Sequence, residues 1–350
     1  MSSGAEESAE RERNANGGVT LPGGLAVLNP GGSDPDQQFA DGAGSPADPR
    51  PHAPINYHAY AACTSGSFNR SLKSLRVEQN AVLLLIRRDL KLVLKTLIAL
   101  QAAGKRVAVS LKEAGPHQVA ALLDDAKRIG LFREICSRAD FCLSSTQDLI
   151  PFYIGAGARR TEFVPTPYPV DLSAWDFSRP TSNRRGIMIG TREFNVPTRN
   201  HLGALMAVRS LGEPITVVNA DGRQGRKRLA ALGIPELRVV EGRLAYPAYL
   251  ELMAGHRLVF QLDRSSVPGQ VAGDALLCRI PCVGGDGSVE RIAFPALSGF
   301  GADTPTLVAR VRTLMSDDAF YEAAVSESQR LAGEKLSFAT GAARLGEVFA

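Results

Sequence analysis

The chain of 350 residues has no long hydrophobic run. A membrane-spanning helix needs about 20 consecutive apolar residues. The densest apolar run here, residues 82–86, is ended by Arg87-Arg88-Asp89. Residues 1–16 are polar and acidic and contain no apolar segment of the kind that a secretory signal carries. The sequence therefore predicts a cytoplasmic protein without a transmembrane helix.

Cysteine is scarce, and neither sign of charge is in large excess. The five cysteines form no C-x-x-C pair, so we expect reduced, packed thiols rather than a disulfide framework or a zinc site. With 40 Lys and Arg against 36 Asp and Glu, the formal net charge is only +4, and the basic residues are scattered. This balance argues against a nucleic-acid partner but leaves room for a few arginines that bind one phosphate-bearing ligand.

Two motifs typical of cofactor-dependent enzymes are missing or weak. No G-x-G-x-x-G run follows a strand with an acid about 20 residues further on, which argues against a dehydrogenase. Asp34-Pro35-Asp36 matches an Asp-x-Asp metal pair, but in a Gly/Pro-rich loop such a match readily arises by chance. We therefore predict no metal site.

The sequence does contain a repeated alternation of short apolar runs with segments of helical periodicity. Strands are predicted at 25–28, 81–86, 106–111, 141–144, 163–165, 186–189, 215–218, 237–240, 258–262 and 281–285. Helices are predicted from near 67 to 75, after a mixed aromatic and small-residue segment at 55–66, and at 90–102, 119–128, 148–154, 199–211, 226–232, 246–254, 269–279, 304–316, 318–332 and 338–349. Strands that alternate with helices in this way indicate parallel sheets with helices on both faces.

The alternation stops at a polar linker, 181–185, and then restarts. A chain of this length and pattern is predicted to form two domains. The predicted segments are a flexible tail at 1–20, a first domain at 21–180, a second domain at 181–332 and a closing helix at 333–350. The predicted fold class is α/β, with two tandem Rossmann-like, doubly wound domains.

One acidic residue in the second domain is a candidate ligand-binding group. In the predicted helix 269–279, Asp274 shares a face with Gln270 and lies away from the apolar stripe. The helix is followed by a strand that ends in Gly284 and Gly285. A carboxylate on the front of such a helix is suited to hold the hydroxyl groups of a sugar or a ribose. The alternative is an acid that is simply solvated.

Two arginines at the start of the second domain are candidates for binding a diphosphate. The first strand there ends in Gly190-Thr191-Arg192, and Thr198 is a suitable N-cap that places Arg199 in the first helical turn. A cation in the first turn opposes the helix dipole by about 0.3–1 kcal/mol, which makes it an unusual position unless it serves an anion. A pyrophosphate there would gain backbone amide donors and two guanidinium groups. The alternative is two solvated arginines.

Taken together, these segments resemble the GT-B glycosyltransferases, most closely the large family-4-type group (glycosyl transferases group 1). The resemblance is spread over residues 81–295 and rests on the order and spacing of four loose motifs. These are Ala139-Asp140-Phe141-Cys142-Leu143-Ser144-Ser145, the segment from Phe163-Val164-Pro165 to Asp171, the pair Gly190-Thr191-Arg192 and Arg199-Asn200, and residues 269–283.

This resemblance implies a retaining, metal-independent enzyme with no cofactor. It would bind a nucleotide-diphosphate sugar in the second domain, take a glycan or glycolipid acceptor in the first, and work in a central cleft between them. The implied catalytic residues are Arg192, Arg199 and Asp274. The implied donor-binding residues are Gly190, Thr191, Asn200, Gln270, Gly284 and Gly285, and the acceptor-side residues are Gly31, Gly32 and His117.

Three departures from the family pattern leave other functions open. Ser266 stands where the family has a second acid, Arg199 replaces a lysine, and the predicted strands of the first domain are not followed by the expected histidine. A non-catalytic binding or scaffold protein with this fold, or another GT-B enzyme such as a sugar-nucleotide epimerase, therefore remains an alternative. Basic residues of the first domain suggest at most a weak peripheral contact with the inner face of a membrane, namely Lys73, Arg76, Arg87 and Arg88.

Overall fold

The computed structural model describes residues 21–40, 42–47, 52–112, 115–190, 194 and 196–350. The predicted tail at 1–20 and two of the predicted site residues, Thr191 and Arg192, lie outside these ranges. The described residues form two β-sheets, one before and one after the predicted linker. Strands β1 to β7 are Ala26–Leu28, Gln37–Gln38, Ser67–Asn69, Ala81–Ile86, Arg106–Leu111, Phe141–Ser144 and Thr161–Phe163. Strands β8 to β12 are Ile187–Ile189, Ile215–Asn219, Arg238–Glu241, Leu258–Gln261 and Cys282–Gly284.

The helices lie between and after these strands. Helices α1 to α5 are Tyr57–Cys63, Leu90–Ala102, Pro116–Leu122, Ala126–Arg138 and Ile150–Gly155. Helices α6 to α10 are His201–Val208, Gly222–Ala231, Tyr246–Ala254, Gln270–Leu277 and Ser288–Ala293. Helices α11 to α13 are Thr304–Ser316, Asp318–Lys335 and Phe338–Phe349. None of the described helices is long and apolar enough to cross a membrane.

Both sheets have the strand order of a doubly wound fold. The first sheet runs β2-β3-β1-β4-β5-β6-β7 and the second runs β10-β9-β8-β11-β12. Neighbouring strands are parallel except for β2, which pairs antiparallel to β3. In the second sheet the chain builds outward from β8 to β10 and then returns to the other side of β8, whereas in the first sheet β2 forms the edge, β3 inserts between β2 and β1, and the chain then continues on the other side of β1. The predicted fold class, two tandem Rossmann-like sheets, is confirmed.

The first sheet is buried on both faces because successive side chains of a strand point in opposite directions. In β4, Val82 and Leu84 pack into one apolar cluster with helices α2 and α4, while Leu83 packs into the other cluster with α1 and α13. Every residue of β4 is buried. An unbroken apolar run is therefore what this strand requires, which is why the sequence pattern located it correctly.

The helix predicted to begin near Ser67 and to run to Leu75 is wrong, because the helix of this region comes earlier, at Tyr57–Cys63. Helix α1 ends at Cys63, and Ser67–Asn69 forms strand β3, which pairs with β1. The chain between them turns through Gly66, where a Cβ atom would overlap the carbonyl oxygen of Leu25. Only glycine permits this close approach of two backbones, so the strand depends on a long-range contact that periodicity does not reveal.

The helix predicted at 119–128 is also different. It is two helices, α3 and α4, and the second begins where the Asp125 side chain accepts a hydrogen bond from the backbone N–H of Arg128, at 2.8 Å. Gly130, which was expected to end the helix, lies inside α4. Strand β2 and helix α10 were not predicted, and both are too short to show a clear period.

The last helix, α13, returns to the first sheet. The ring of Phe349 meets that of Phe141 in β6 edge-on, with the centroids 4.9 Å apart. Asp171, in the segment that leaves the first sheet, accepts hydrogen bonds from the backbone N–H groups of Phe338 and Ala339, at 3.2 and 3.1 Å. The predicted closing helix thus ties the end of the chain to the first sheet.

Replacing Phe349 with alanine should destabilise the protein by about 3–5 kcal/mol, because it empties a buried ring position. The ring is 5% exposed and packs in the larger apolar cluster. The measurement is the free energy of unfolding from chemical denaturation. Phe320→Ala is the matched control, since Phe320 is 39% exposed and its loss should cost less than about 1 kcal/mol. Equal losses for both variants would contradict a structural role for the return of α13.

Candidate functional site

The candidate site lies at the carboxyl ends of the strands in the second sheet. The chain moves outward from β8 to β9 and β10 and then places β11 on the other side of β8. In open α/β sheets, ligands bind beside such a reversal of strand order. Gly190 follows β8, Asp263 follows β11 and Gly284 ends β12, so residues predicted for donor binding do meet at this edge.

Gly190 is required by packing. Its backbone N–H donates to the carbonyl oxygen of Phe260, at 3.1 Å. A Cβ atom at this position would overlap the Cγ1 atom of Val271 in α9. Glycine therefore lets α9 lie directly against the end of β8. The roles predicted for Thr191 and Arg192, which follow, remain predictions because these residues lie outside the described part of the chain.

Arg199 reaches the site from a 3₁₀ turn, Pro197–Arg199, that precedes α6. Thr198 was wrongly predicted as the N-cap; it lies within the turn, and Asn200 occupies the N-cap in a left-handed conformation with φ 49°. The Nη1 atom of Arg199 forms an ion pair with Oδ2 of Asp263, at 2.8 Å. The carboxylate of Asp263 is 6% exposed. This acid holds the guanidinium at the end of β11.

Although Ser266 replaces the second acid that the GT-B resemblance led us to expect, the side chain of Asp286 lies next to it. The Oδ1 atom of Asp286, from the loop after β12, accepts a hydrogen bond from the backbone N–H of Ser266, at 2.8 Å. Asp263 accepts one from the backbone N–H of Ser265, also at 2.8 Å. The two carboxylates therefore flank the same turn. Sequence reasoning missed Asp286, although its position directly after Gly284-Gly285, at a strand end, was a usable signal.

Glu290, at the start of α10, is a third carboxyl group near this turn. Its Oε1 atom accepts a hydrogen bond from Nε2 of Gln261, at 2.8 Å. Burial raises the pKa of Glu290 to about 8, with the charges of Asp263 and Asp286 adding to the shift. Burial and the charge of Asp263 also raise the pKa of Asp286. At neutral pH the Glu290 carboxyl group is therefore largely protonated.

Gly284 and Gly285 make room for protein groups. Both have positive φ, 84° and 74°. A Cβ atom at Gly284 would overlap the carbonyl oxygen of Gln261, and one at Gly285 would lie 2.8 Å from Oε1 of Glu290. The predicted close backbone approach therefore exists, and in this structure its partners are Gln261 and Glu290.

Asp274 was expected on an exposed helix face, but the structure buries it. It is 1% exposed, and the hydroxyl group of Tyr246 donates a hydrogen bond to its Oδ1 atom, at 2.6 Å. The ring of Tyr168 covers the neighbouring Gly273, where a Cβ atom would overlap it. The helix is therefore enclosed by the segment that leaves the first sheet. Burial, followed by the charge of Asp274, raises the pKa of both tyrosines.

A cavity of about 300 Å³ lies between the two sheets. On one side it is lined by Asp34, His52, Ala53, Ile55, Asn56, Tyr57, His58, Phe68 and Lys112, and on the other by Leu244, Tyr246, Tyr249 and Gln270. The Nδ2 atom of Asn56 donates to Oε1 of Gln270 across it, at 3.1 Å. Gln270, predicted for donor binding, does face the cleft.

The first-sheet side of this cavity carries a polar cluster. Asp34, after β1, pairs with Nζ of Lys112, after β5, at 3.4 Å. The ring of His58 is stacked between Phe68 and His52, with centroids 3.8 and 4.6 Å away. Burial and then the electrostatic effect of the neighbouring His52 lower the pKa of His58 to about 3, so the His58 imidazole is neutral at physiological pH.

The predicted acceptor-side residues are not the ones that line the cavity. His117 is exposed in the first turn of α3, and Gly31 and Gly32 lie in the turn after β1. A Cβ atom at Gly32 would overlap the side chain of Asn29, so that glycine serves the turn itself. Sequence reasoning passed over Asp34 and Lys112 as cleft residues, although both follow strands whose carboxyl ends must meet at one edge.

No metal-binding group is formed by the described residues. Within them, no set of three or more His, Cys, Asp or Glu side chains could hold a metal ion. Of the Asp-x-Asp motif, Asp34 pairs with Lys112, and Asp36 accepts a hydrogen bond from the backbone N–H of Arg70, at 2.6 Å. These two carboxylates therefore serve separate contacts in the fold.

Glu290→Gln should remove part of the pH dependence of stability. The pKa of this group is about 8 in the folded protein and about 4.5 in an exposed chain, so the folded state binds the additional proton between these values. The free energy of unfolding then falls as the pH rises from about 4.5 to about 8, and the contribution is fully present only below that window. Chemical denaturation across this range should show a shallower fall for the variant.

Glu347→Gln is the control for this experiment, because the Glu347 side chain is 60% exposed. It should follow the wild-type curve. Parallel curves for wild type and Glu290→Gln would mean that Glu290 does not titrate between about pH 4.5 and 8.

The comparison with known proteins concerns structure alone, since no protein-family model and no curated protein matches the chain by sequence. A trehalose-6-phosphate synthase from E. coli bound with UDP-2-fluoro glucose matches with a TM-score of 0.57 and 13% identity, over 77% of this chain and 72% of that one. The UDP-forming enzyme from Burkholderia xenovorans, in complex with glucose-6-phosphate, gives 0.59 and 13%, over 79% and 74%.

A third trehalose-6-phosphate synthase, described with bisubstrate glycomimetics for glycosyl transfer with retention, gives a TM-score of 0.57 and 14% identity. It covers 77% of this chain and 73% of that one. At such identities the similarity is one of fold. The chain has the two-domain GT-B fold of these glycosyltransferases, with two Rossmann-like sheets on either side of a central cleft.

Proposed function

We propose that the protein is a glycosyltransferase that moves a sugar from a nucleotide-diphosphate donor to a hydroxyl group of a glycan or glycolipid acceptor. The observation that carries the proposal is the position of the 300 Å³ cavity. Asp34 and Lys112 line it after strands β1 and β5, while Leu244 and Gln270 line it after β10 and β11. The carboxyl ends of two parallel sheets therefore face one space, where two substrates can meet.

The donor diphosphate is assigned to the edge of the second sheet near Arg199. Its guanidinium is fixed by Asp263, and a positioned cation next to a strand reversal suits the leaving diphosphate, where negative charge develops. We assign Thr191, Arg192 and Asn200 to the same diphosphate-binding site. Gly190 keeps α9 close to β8 and thereby keeps Gln270 at the cleft.

Asp274 is assigned an indirect part. Its carboxylate is buried and accepts the hydrogen bond of Tyr246, whose ring lines the cavity. We assign Asp274 the task of fixing this tyrosine, and we assign Gln270 the direct contact with the donor sugar. Gly284 and Gly285 support this wall by admitting Gln261 and Glu290 behind it.

The acceptor is assigned to the first-sheet side. Tyr57 and the stacked rings of Phe68, His58 and His52 form an aromatic wall against which a sugar can lie, and Asp34 and Lys112 offer polar contacts. In the reaction, the bond from C1 to the phosphate oxygen breaks, and C1 bonds to the acceptor oxygen. The acceptor proton leaves with the nucleoside diphosphate. Retention of configuration is proposed because one structural relative is described for transfer with retention.

The ligands named for the structural relatives suggest a donor and an acceptor for a first activity test. Their descriptions name UDP-2-fluoro glucose and glucose-6-phosphate, so UDP-glucose is the first donor to try. A sugar phosphate belongs beside glycans and glycolipids in the acceptor panel. We propose that no metal ion or cofactor takes part, so EDTA should leave the rate unchanged.

A non-catalytic binding protein is the second candidate, and a specific observation favours it. Asp274 is enclosed, and Ser266 carries no acid of its own. A protein that had lost catalysis could keep such a pocket for binding a nucleotide-sugar. A sugar-nucleotide epimerase would need acid–base groups beside the donor sugar, and among the described residues that line the second-sheet side of the cavity there is no carboxyl group and no histidine.

Nucleotide diphosphates should stabilise the protein. Ligand at 100 times its dissociation constant adds about 2.7 kcal/mol to the free energy of unfolding. Arg199→Ala should weaken the binding of UDP or GDP by about tenfold or more, because a charge-assisted hydrogen bond contributes about 1.5–3 kcal/mol. Isothermal titration measures the affinity. Arg199→Lys keeps the charge and should lose less than Arg199→Ala.

Arg209→Ala is the matched control. Arg209 is exposed just after α6, and its Nη1 atom donates a hydrogen bond to the sulfur of Met206. Its nucleotide affinity should be unchanged. If no nucleoside diphosphate binds the wild type, or if Arg199→Ala binds as tightly as Arg209→Ala, the assigned donor site is wrong.

Tyr246→Phe should lower the turnover of the donor sugar by about tenfold, since about 1.4 kcal/mol of barrier corresponds to that factor. The change keeps the ring in the cavity and removes the donor to Asp274. Asp274→Asn should have a similar effect, because both variants alter one hydrogen bond. Release of nucleoside diphosphate, with and without an acceptor panel, is the assay.

Tight donor binding by the wild type without turnover on any acceptor would favour the binding protein over the enzyme. Turnover that requires added Mg²⁺ and stops with EDTA would contradict metal independence. Full activity in both variants would contradict the role assigned to the Tyr246–Asp274 pair.

A further inference from the structure

A second groove lies behind the second sheet, at the amino ends of its strands. Its volume is about 500 Å³. Arg185 lies two residues before β8, Pro214 directly precedes β9, and Arg238 begins β10. The groove is lined by Arg179, Arg185, Pro214, Thr216, Arg238, Ala248, Glu251, Leu252, Gly255 and His256. The candidate donor site lies at the opposite, carboxyl ends of the same strands, so the two places are distinct.

Three arginines converge on this groove without an acidic partner. Arg179, Arg185 and Arg238 are exposed, and none of them forms an ion pair with another residue in the described ranges. Other arginines of the chain are paired, as in the contact of Arg257 with Asp318 at 2.5 Å. The Nη1 atom of Arg185 donates to the carbonyl oxygen of Arg184, at 2.8 Å, which leaves its other N–H groups for a ligand. Three guanidinium groups without an acidic partner around one concavity attract an anion.

The local negative charge is too small to account for the three cations. Glu251 is the acid in the lining. The carboxyl end of α8, which also faces the groove, has the effect of about half an elementary charge. Together these leave the groove positive by about one and a half charges. Burial lowers the pKa of the neighbouring His256, and the charge of Arg238 adds to this effect. The His256 ring therefore adds no cation to the groove.

Hydrogen bonds hold the backbone of two of these arginines in place. The backbone N–H of Arg185 donates to Gly255 at the end of α8, at 3.0 Å, and the Nε atom of buried Arg184 donates to the carbonyl oxygen of Arg179, also at 3.0 Å. A Cβ atom at Gly186 would overlap the carbonyl oxygen of Pro214, so the backbone just before strand β8 packs directly against Pro214. Two of the arginine backbones are thereby held at one wall of the groove.

The opposite wall supplies the third arginine and a hydroxyl group. Arg238 and Thr216 are register partners in neighbouring strands. Pro214, Ala248 and Leu252 add an apolar strip between the two walls. Guanidinium groups bind phosphate through paired hydrogen bonds, and an apolar strip beside them suits a ring or a carbon chain.

We propose that this groove is a second ligand site, which binds a small molecule bearing a phosphate or diphosphate group. Arg179, Arg185 and Arg238 hold the phosphoryl oxygens, and Thr216 adds a hydroxyl contact. The site is independent of the donor site assigned to Arg199. It requires no reaction, only the recognition of a phosphate-bearing ligand at the back of the second sheet.

Inorganic pyrophosphate is the probe, titrated into the full chain by isothermal titration at low salt. We expect two sites in the wild type. Arg199→Ala should remove the site at the carboxyl ends of the strands and leave the groove. The double variant Arg179→Ala/Arg238→Ala should weaken the groove by about tenfold or more, since each charged hydrogen bond contributes substantially, and should leave the other site. All three arginine side chains in the groove are exposed, so the double variant should keep the wild-type melting temperature.

Arg226→Ala/Arg330→Ala is the charge-matched control, because it removes two exposed arginines that lie outside the groove. It should bind pyrophosphate as the wild type does. If it weakens binding as much as the groove variant, or if Arg199→Ala leaves no saturable binding, the groove is only a patch of solvated arginines. If the wild type binds pyrophosphate only in the groove and Arg199→Ala binds it unchanged, the proposed donor site is wrong and the groove site stands.

Discussion

The structure depends most on the close packing of helix α9, which three glycines make possible. Gly190 admits Val271 against the end of β8, Gly273 admits the ring of Tyr168, and Gly269 admits the carboxyl group of Glu290. A side chain at any of these positions would push the helix away from a different neighbour. The helix is therefore held from three sides, which places Gln270 at the cleft and encloses Asp274.

This packing changes the chemistry of the carboxyl groups around it. Asp274 becomes a buried acceptor for Tyr246, and Glu290 becomes a largely protonated acid beside Asp263 and Asp286. Asp263 pairs with Arg199 and so offsets one negative charge of this group. A diphosphate in the proposed donor site would meet a cation that is already oriented, close to a largely neutral acid, an arrangement suited to stabilising negative charge as it develops.

The second sheet uses its two ends differently. At the carboxyl ends of its strands, Arg199 is paired with an acid, whereas at the amino ends three arginines have no acidic partner among the described residues. Helix α8 extends between the two regions, with Tyr246 lining the cleft at its start and Leu252 lining the groove near its end. Ordinary helix and strand geometry thus gives one small sheet two concave surfaces of different charge.

The amino-acid sequence by itself determined the two sheets and most strand positions, which follow from local periodicity. The grouping of Gly190, Arg199, Gln270 and Gly284 at one edge came from the resemblance to the GT-B glycosyltransferases, and it agrees with the rule that parallel strands share their ends. Tertiary structure decided what periodicity does not encode. It made β3 a strand through the contact of Gly66 with Leu25, and it buried Asp274 under a distant tyrosine.

The same reason explains the residues that sequence reasoning missed. Asp34, His58 and Lys112 share a cavity, and Asp286 reaches Ser266, only because loops far apart in the chain meet at strand ends. Whether an acid is solvated, paired or protonated depends on which groups surround it in space. A single sequence shows which residues are present and which segments have the period of a strand or a helix, but burial and charge pairing arise only when the sheets and helices pack.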